Sequence, residues 1–246
     1  MRWRRRAAAV EPEAIDAILA ANVALAAGLG ADERAALDER TAELLDLVRW
    51  EAVGGLELTD EVRVTIAANA ALPVLALGTG VYRQVRSVIV RPTVVRSTGW
   101  RAGPAAGTVA DDPMLTSGVA LSETGPLAIS WDVALAESRE PRYGQNVVIH
   151  EFAHKIDMSD GYADGVPPLP RASIETWTRM MRDERGRDEG DGHEPVLHDY
   201  AWENDAEFFA VATEAFFCLP ARLAHGRPEL YDALRAFYRQ DPARRG

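Results

Sequence analysis

The stretch NVVIHEFAHKID constrains this chain more than any other, because it sets His150 and His154 four residues apart with Glu151 directly after the first. On an α-helix, positions i and i+4 share a face one turn apart, so both imidazoles point the same way with the glutamate close by. Val147, Val148 and Ile149 are apolar, as suits a helix entering a core, and Asn146 carries an N-capping side chain. A buried helix whose histidines satisfy local hydrogen bonds would have the same letters. With five histidines in 246 residues, however, a chance H-E-x-x-H is uncommon, and the arrangement is the one that zinc hydrolases use to grip their ion.

Two imidazoles do not complete a catalytic zinc site, which takes three protein ligands and one open position. Asp157 lies on the same face, but seven residues of helix rise about 10 Å, too far for His150 and Asp157 to share an ion. Asp157 reads instead as an outer partner of a histidine or as a solvated residue at the helix end. The longer metzincin pattern fails, since Asp157 and Asp160 stand where Gly and His are needed. Downstream, HDYAWENDAEFFAVATEAFFCLP predicts a loop and then a strongly apolar helix ending at Pro220. Glu207 and Glu214 repeat at a helical spacing amid phenylalanines, and a buried carboxylate needs a partner, which a zinc ion would supply. Asn204-x-x-Glu207 also has capping-box spacing, so Glu207 alone could serve the helix start. Glu214, two turns on, cannot bind the same ion and reads as an outer partner or an ordinary paired carboxylate.

The segments GLELTDEVRVTIAANAALPVL, AISWD, GQNVVIHEFAHKIDMSDGYADG and YAWENDAEFFAVATEAFF together resemble the Mlc titration factor A family. These are bacterial zinc-dependent peptidases similar in their metal core to the anthrax lethal factor protease, and the resemblance runs from about residue 30 to about residue 220. It implies gluzincin chemistry: two histidines and a downstream glutamate on one Zn2+, with a tyrosine seven residues before that glutamate. Here these are His150, His154, Glu207 and Tyr200, so the resemblance selects Glu207 over Glu203 or Glu214. It further implies an aminopeptidase-like activity on peptides and, as a different class of function, sequestration of a glucose-responsive transcriptional repressor with little turnover.

Neutral His150 and His154 with anionic Glu207 would leave the site net positive, which lowers the pKa of bound water to roughly 7. Glu151, unable to coordinate from its own position, is then the expected general base. Tyr200 would donate its phenolic hydrogen where charge develops on the carbonyl oxygen. His193 and His198 lack partners at ligand spacing and read as ordinary surface or loop residues.

A net charge of -11 disfavours nucleic acid and anionic membranes as partners. Arg2, Arg4, Arg5 and Arg6 read as a solvated tail; Glu11, Glu13 and Asp16 interrupt any signal-peptide pattern, and the Ala-rich stretch after them is too short and polar to span a bilayer. The cytoplasm is the expected location. Cys218 is the sole cysteine, which excludes an intramolecular disulfide and a cysteine zinc site, and its aromatic surroundings suggest packing.

The expected fold is α+β: a single, mostly helical zincin-like metallopeptidase domain over residues 1–246, with a small β-sheet beside the HExxH helix. Residues 1–80 would form a helical N-terminal part and 81–246 the catalytic core. Helices are predicted over 12–28 and 31–51, with Asp32 as a cap of the second, and over LTDEVRVTIAANAALPVLAL, ending near Pro73. VRSVIVRPTVVRS and GPLAISWD read as strands. Leu127 to Trp131 is expected beside the metal helix, as a hairpin or as a strand that pairs with an extended substrate. Further helices are expected from about Ser173 to Arg185 and Glu229 to Arg239.

Overall fold

The computed structural model describes residues 10–93, 125–187 and 196–245, together with the backbone of five short strands between 95 and 120. The arginines at positions 2–6 and His193 lie outside the described residues.

Helix α1 (Pro12–Asn22) opens with Pro12, whose fixed φ suits a first turn, and gives way to a short 3-10 turn over Ala24–Gly28. Helix α2 spans Ala31–Leu47 and is capped not by Asp32 but by Gly30, whose N–H donates to Glu33. It also stops short of the predicted boundary at 51, because Arg49–Ala52 forms strand β1. Val48, Trp50 and Ala52 alternate there with Arg49 and Glu51, a period of two that the preceding helical pattern hides. The Thr59 hydroxyl accepts from Val62 N–H to begin α3 (Asp60–Ala71), which passes into a 3-10 turn containing Pro73, as expected of a residue with no N–H to give.

Strands β2 (Ser87–Arg91), β3 (Val95–Ser97), β4 (Arg101–Ala102), β5 (Val109–Ala110), β6 (Met114–Thr116), β7 (Gly118–Ala120) and β8 (Leu127–Ser130) follow. The main sheet runs β1-β2-β8-β7, with the first three strands parallel and β7 antiparallel on the edge. Val88 pairs with Leu127, and Ile129 with Gly118. Both edges of β8 are therefore occupied, which corrects the expectation that Leu127–Trp131 could receive a substrate strand. Trp131 itself begins helix α4 (Trp131–Arg139).

Helix α5 (Val147–Asp157) carries the HExxH motif, α6 spans Arg171–Arg185, and α7 (Asp205–Cys218) ends where Pro220 opens α8 (Pro220–Gly226); α9 (Pro228–Tyr238) closes the fold. Helices α5 and α7 are buried nearly all round, their polar side chains included, and they pack along each other. Phe152, Ile156, Phe208, Phe209 and Phe216 belong to one contiguous core that reaches Leu19 and Leu37 of α1 and α2 at one end and Tyr238 of α9 at the other. The architecture is thus mostly helical α+β, with the sheet against the motif helix: β7 lies along α5, and the fully buried Lys155 donates to the Gly125 carbonyl at the approach to β8.

Candidate metal centre

The Asn146 side chain accepts from Ile149 N–H at 3.1 Å, starting α5 so that its second turn points His150 and His154 to one side. Their rings meet edge to face with centroids 4.8 Å apart and the two Nε2 atoms 3.1 Å apart. On α7, Asn204 accepts from Glu207 N–H at 2.9 Å, so the helix start is capped. The Glu207 carboxylate turns instead to the imidazoles, with Oε2 3.1 Å from His150 Nε2 and 3.2 Å from His154 Nε2. Three donor atoms from two helices thus form a nearly equilateral triangle, the one such set of three potential metal ligands found among the described residues.

The donor set suits a small divalent cation. Tetrahedral ligands about 2.0–2.1 Å from a zinc ion stand about 3.4 Å from one another, close to the separations seen here. His150 Nδ1 lies 2.9 Å from Glu214 Oε2, so the neutral ring carries its proton on Nδ1 and turns a bare Nε2 lone pair toward the Glu207 oxygen. Facing lone pairs repel unless a positive charge lies between them. When no cation lies between them, burial opposes charge on His150 but Glu214 and Glu207 outweigh it and raise its pKa well above the usual histidine range, so a proton competes for the place a metal ion would take. Burial likewise opposes ionisation of Glu207, and hydrogen bonds from His150 and His154 bring it below the usual carboxylate range. Both shifts describe a site built to stabilise positive charge.

The surroundings supply the remaining groups. Glu151 is 4% exposed, and its Oε2 has no hydrogen-bond partner among the described residues. Burial raises its carboxyl above the usual range against the pull of His150 and His154. Tyr200 lies in a four-residue 3-10 turn, Asp199–Trp202, with its ring 6.0 Å from that of His150. Its phenol is raised by burial and by the Glu207 carboxylate, so it remains a hydrogen donor throughout the neutral range. Glu214 bridges the centre to the start of α5, with Oε1 accepting from Asn146 N–H at 2.7 Å. Asp157 is fully buried rather than solvated: Oδ2 accepts from Gly165 N–H, and burial pushes the carboxyl up to about 7. No direct hydrogen bond joins it to His154, whose Nδ1 is buried without a partner among the described residues.

Two residues near the centre escape a reading by ligand spacing. His198 is no ordinary loop histidine: its Nε2 stands 3.5 Å from Glu214 Oε2, and its ring stacks on Tyr200. No local spacing signals this, because His198 precedes the 3-10 turn that carries Tyr200 and its partner Glu214 comes from α7. Glu137 on α4 accepts from Val147 N–H at 2.6 Å beside Glu214, a proximity only the tertiary fold creates.

The sequence model of the family described as glucose-regulated metallo-peptidase M90 matches residues 1–239. The chain belongs to this family. Mlc titration factor A of Serratia proteamaculans is 34% identical over 224 residues, covering 85% of this chain and 84% of that protein. The protein of the same name from Edwardsiella ictaluri is 34% identical over 230 residues, 91% of this chain and 86% of that one. Membership in M90 supports a metallopeptidase-type function, and His150, His154 and Glu207 form a group that could hold a metal ion. No described helix is long and apolar enough to cross a membrane.

Proposed function

We propose that the chain is a zinc-dependent peptidase that hydrolyses peptide bonds in short peptides or at accessible chain ends, in the manner of an aminopeptidase. The convergence of His150, His154 and Glu207 with the Glu151 oxygen, buried and unpartnered among the described residues, carries this reading. His150, His154 and Glu207 hold the ion, and Glu214 fixes the ring of His150 through Nδ1. Zinc bound there would act as a Lewis acid on water and on the scissile carbonyl. Glu151 takes a proton from the attacking water and returns it to the departing amine nitrogen as the C–N bond breaks, a task suited to a carboxyl whose pKa burial has raised. Tyr200 donates its hydroxyl hydrogen to the carbonyl oxygen as negative charge gathers there. Among the described strands β7 ends the main sheet along α5, and an extended peptide would add there as a further strand.

The zinc-loaded protein should cleave members of a broad peptide panel, whereas Glu151→Gln should bind zinc equally and cleave none of them. One zinc per chain, lost in His154→Ala, is the matching result by metal analysis. A second reading, a binder that sequesters a glucose-responsive transcriptional repressor, draws support from the name Mlc titration factor A carried by the relatives. Equal inactivity of the native and Glu151→Gln proteins, with a repressor still bound, would favour it. The chain is expected to act in the cytoplasm as a single domain, with no role for nucleic acid or membrane.

A further inference from the structure

Tyr200 is 38% exposed and sits in a single 3-10 turn, so packing covers only part of its ring, while its hydroxyl hydrogen-bonds the Glu207 carboxylate. A hydrogen-bond donor contributes to a developing charge only if it is already aimed, and a displacement of 1 Å can cost about a hundredfold in rate. Two rings border the tyrosine. His150 is tilted at 36° with its centroid 6.0 Å away, and His198 lies nearly parallel, at 15° and 6.4 Å.

The second ring is itself held. The His198 carbonyl accepts from Ala201 N–H at 3.0 Å, which fixes its backbone at the head of the turn, and the preceding Leu197 is buried. Its Nε2 stands 3.5 Å from Glu214 Oε2, the same oxygen that lies 2.9 Å from His150 Nδ1. That carboxylate cannot drift, because it is 3% exposed and its other oxygen accepts from Asn146 N–H. The far end of the turn is tied separately, by Arg185 to the Trp202 carbonyl at 2.8 Å.

We propose that His198 is a positioning residue for Tyr200, a rigid plane against which the phenol is aligned, and that Glu214 orients both this plane and the imidazole of His150. One buried carboxylate thereby sets the oxyanion donor and a metal ligand in register. The proposal deepens the peptidase reading and rests on it for its kinetic consequence, but not for its structural one.

The test compares native protein, His198→Ala, His198→Gln, Tyr200→Phe and the His198→Ala/Tyr200→Phe pair, all zinc-loaded, on an aminoacyl p-nitroanilide. His198→Ala should lower kcat about tenfold, a part of the roughly 100- to 1000-fold loss expected for the donor itself, with KM and zinc affinity by chelator competition unchanged. In the Tyr200→Phe background the same substitution should cost nothing further. His198→Gln, which reaches Glu214 but presents no ring, should behave as His198→Ala. With 13C-labelled tyrosine rings, the Tyr200 signal, assigned by its loss in Tyr200→Phe, should show faster ring averaging in both His198 variants. Equal kcat losses in the two backgrounds, a parallel fall in zinc affinity, full activity in His198→Gln or an unaltered Tyr200 signal would each overturn the proposal. A native protein that cleaves nothing would sink the peptidase reading, while the ring signal would still decide the role of His198.

Discussion

At the scale of single residues, Glu214 and Glu137 matter because they meet the first turn of the motif helix from other elements. Glu214 holds the Nδ1 side of His150, and outer partners of this kind typically govern metal affinity by about 10- to 100-fold. Glu214→Ala should weaken zinc binding by that order in chelator competition; unchanged affinity would mean that His150 orients itself. Glu137 is a liability by comparison. Burial raises its pKa to about 7, with Glu214 adding to the rise and the Val147 N–H only partly offsetting it. Between the ordinary value of 4.5 and about 7, the unfolded chain releases a proton that the folded protein keeps. Folding is therefore penalised increasingly across that window, fully above it and not at all below it. Glu137→Gln, which still offers an oxygen to Val147, should leave stability unchanged near pH 4 and raise it by about 1–3 kcal/mol at pH 8. Denaturant titrations at the two pH values measure this, and a gain that does not grow with pH would contradict it.

At the scale of elements, the centre depends on how α5, α6 and α7 are held together. Gly165 is the junction: its N–H donates to Asp157 at the end of α5, its carbonyl accepts from the Trp177 indole of α6, and a Cβ would run into the Asp205 carbonyl at the start of α7. Its φ of 75° adds a cost for any other residue. Gly165→Ala should destabilise the fold by about 2 kcal/mol or more and weaken zinc binding with it, since Glu207 lies two residues beyond Asp205. A melting temperature within a degree of native would refute that role. A second tie runs from the metal helix to the N-terminal helices: Asn146 Nδ2 donates to Asn69, Asn69 to Ser138, and Ser138 to the Asn22 carbonyl. Asn69→Ala would strand the buried Asn146 amide at a cost of about 1–3 kcal/mol, measurable by urea denaturation.

At the scale of the whole molecule, one core joins Leu19 and Leu37 to Phe216 and Tyr238, and β1, which falls between two N-terminal helices, is an outer strand of the main sheet. The chain should therefore unfold in one cooperative calorimetric transition. Two resolved transitions, one assigned to residues 1–80, would show that the N-terminal part folds apart from the catalytic core.

Local rules made much of this molecule legible in its letters. The HExxH spacing, the caps at Asn146 and Asn204, and the apolar run of α7 depend on neighbours within one or two turns, and each appears where the sequence places it. The Asp32 cap failed locally, to Gly30, but the other failures came where the deciding partner is remote. Arg49–Ala52 became a strand because β2 pairs with it, β8 lost its free edge to β7, and Asp157 was buried by a loop that folds back through Gly165. His198 gained a role only because α7 brings Glu214 within reach. Helical periodicity is fixed by backbone geometry over a few residues, whereas the pairing of distant carboxylates, rings and strand edges is chosen by the packing of the whole core.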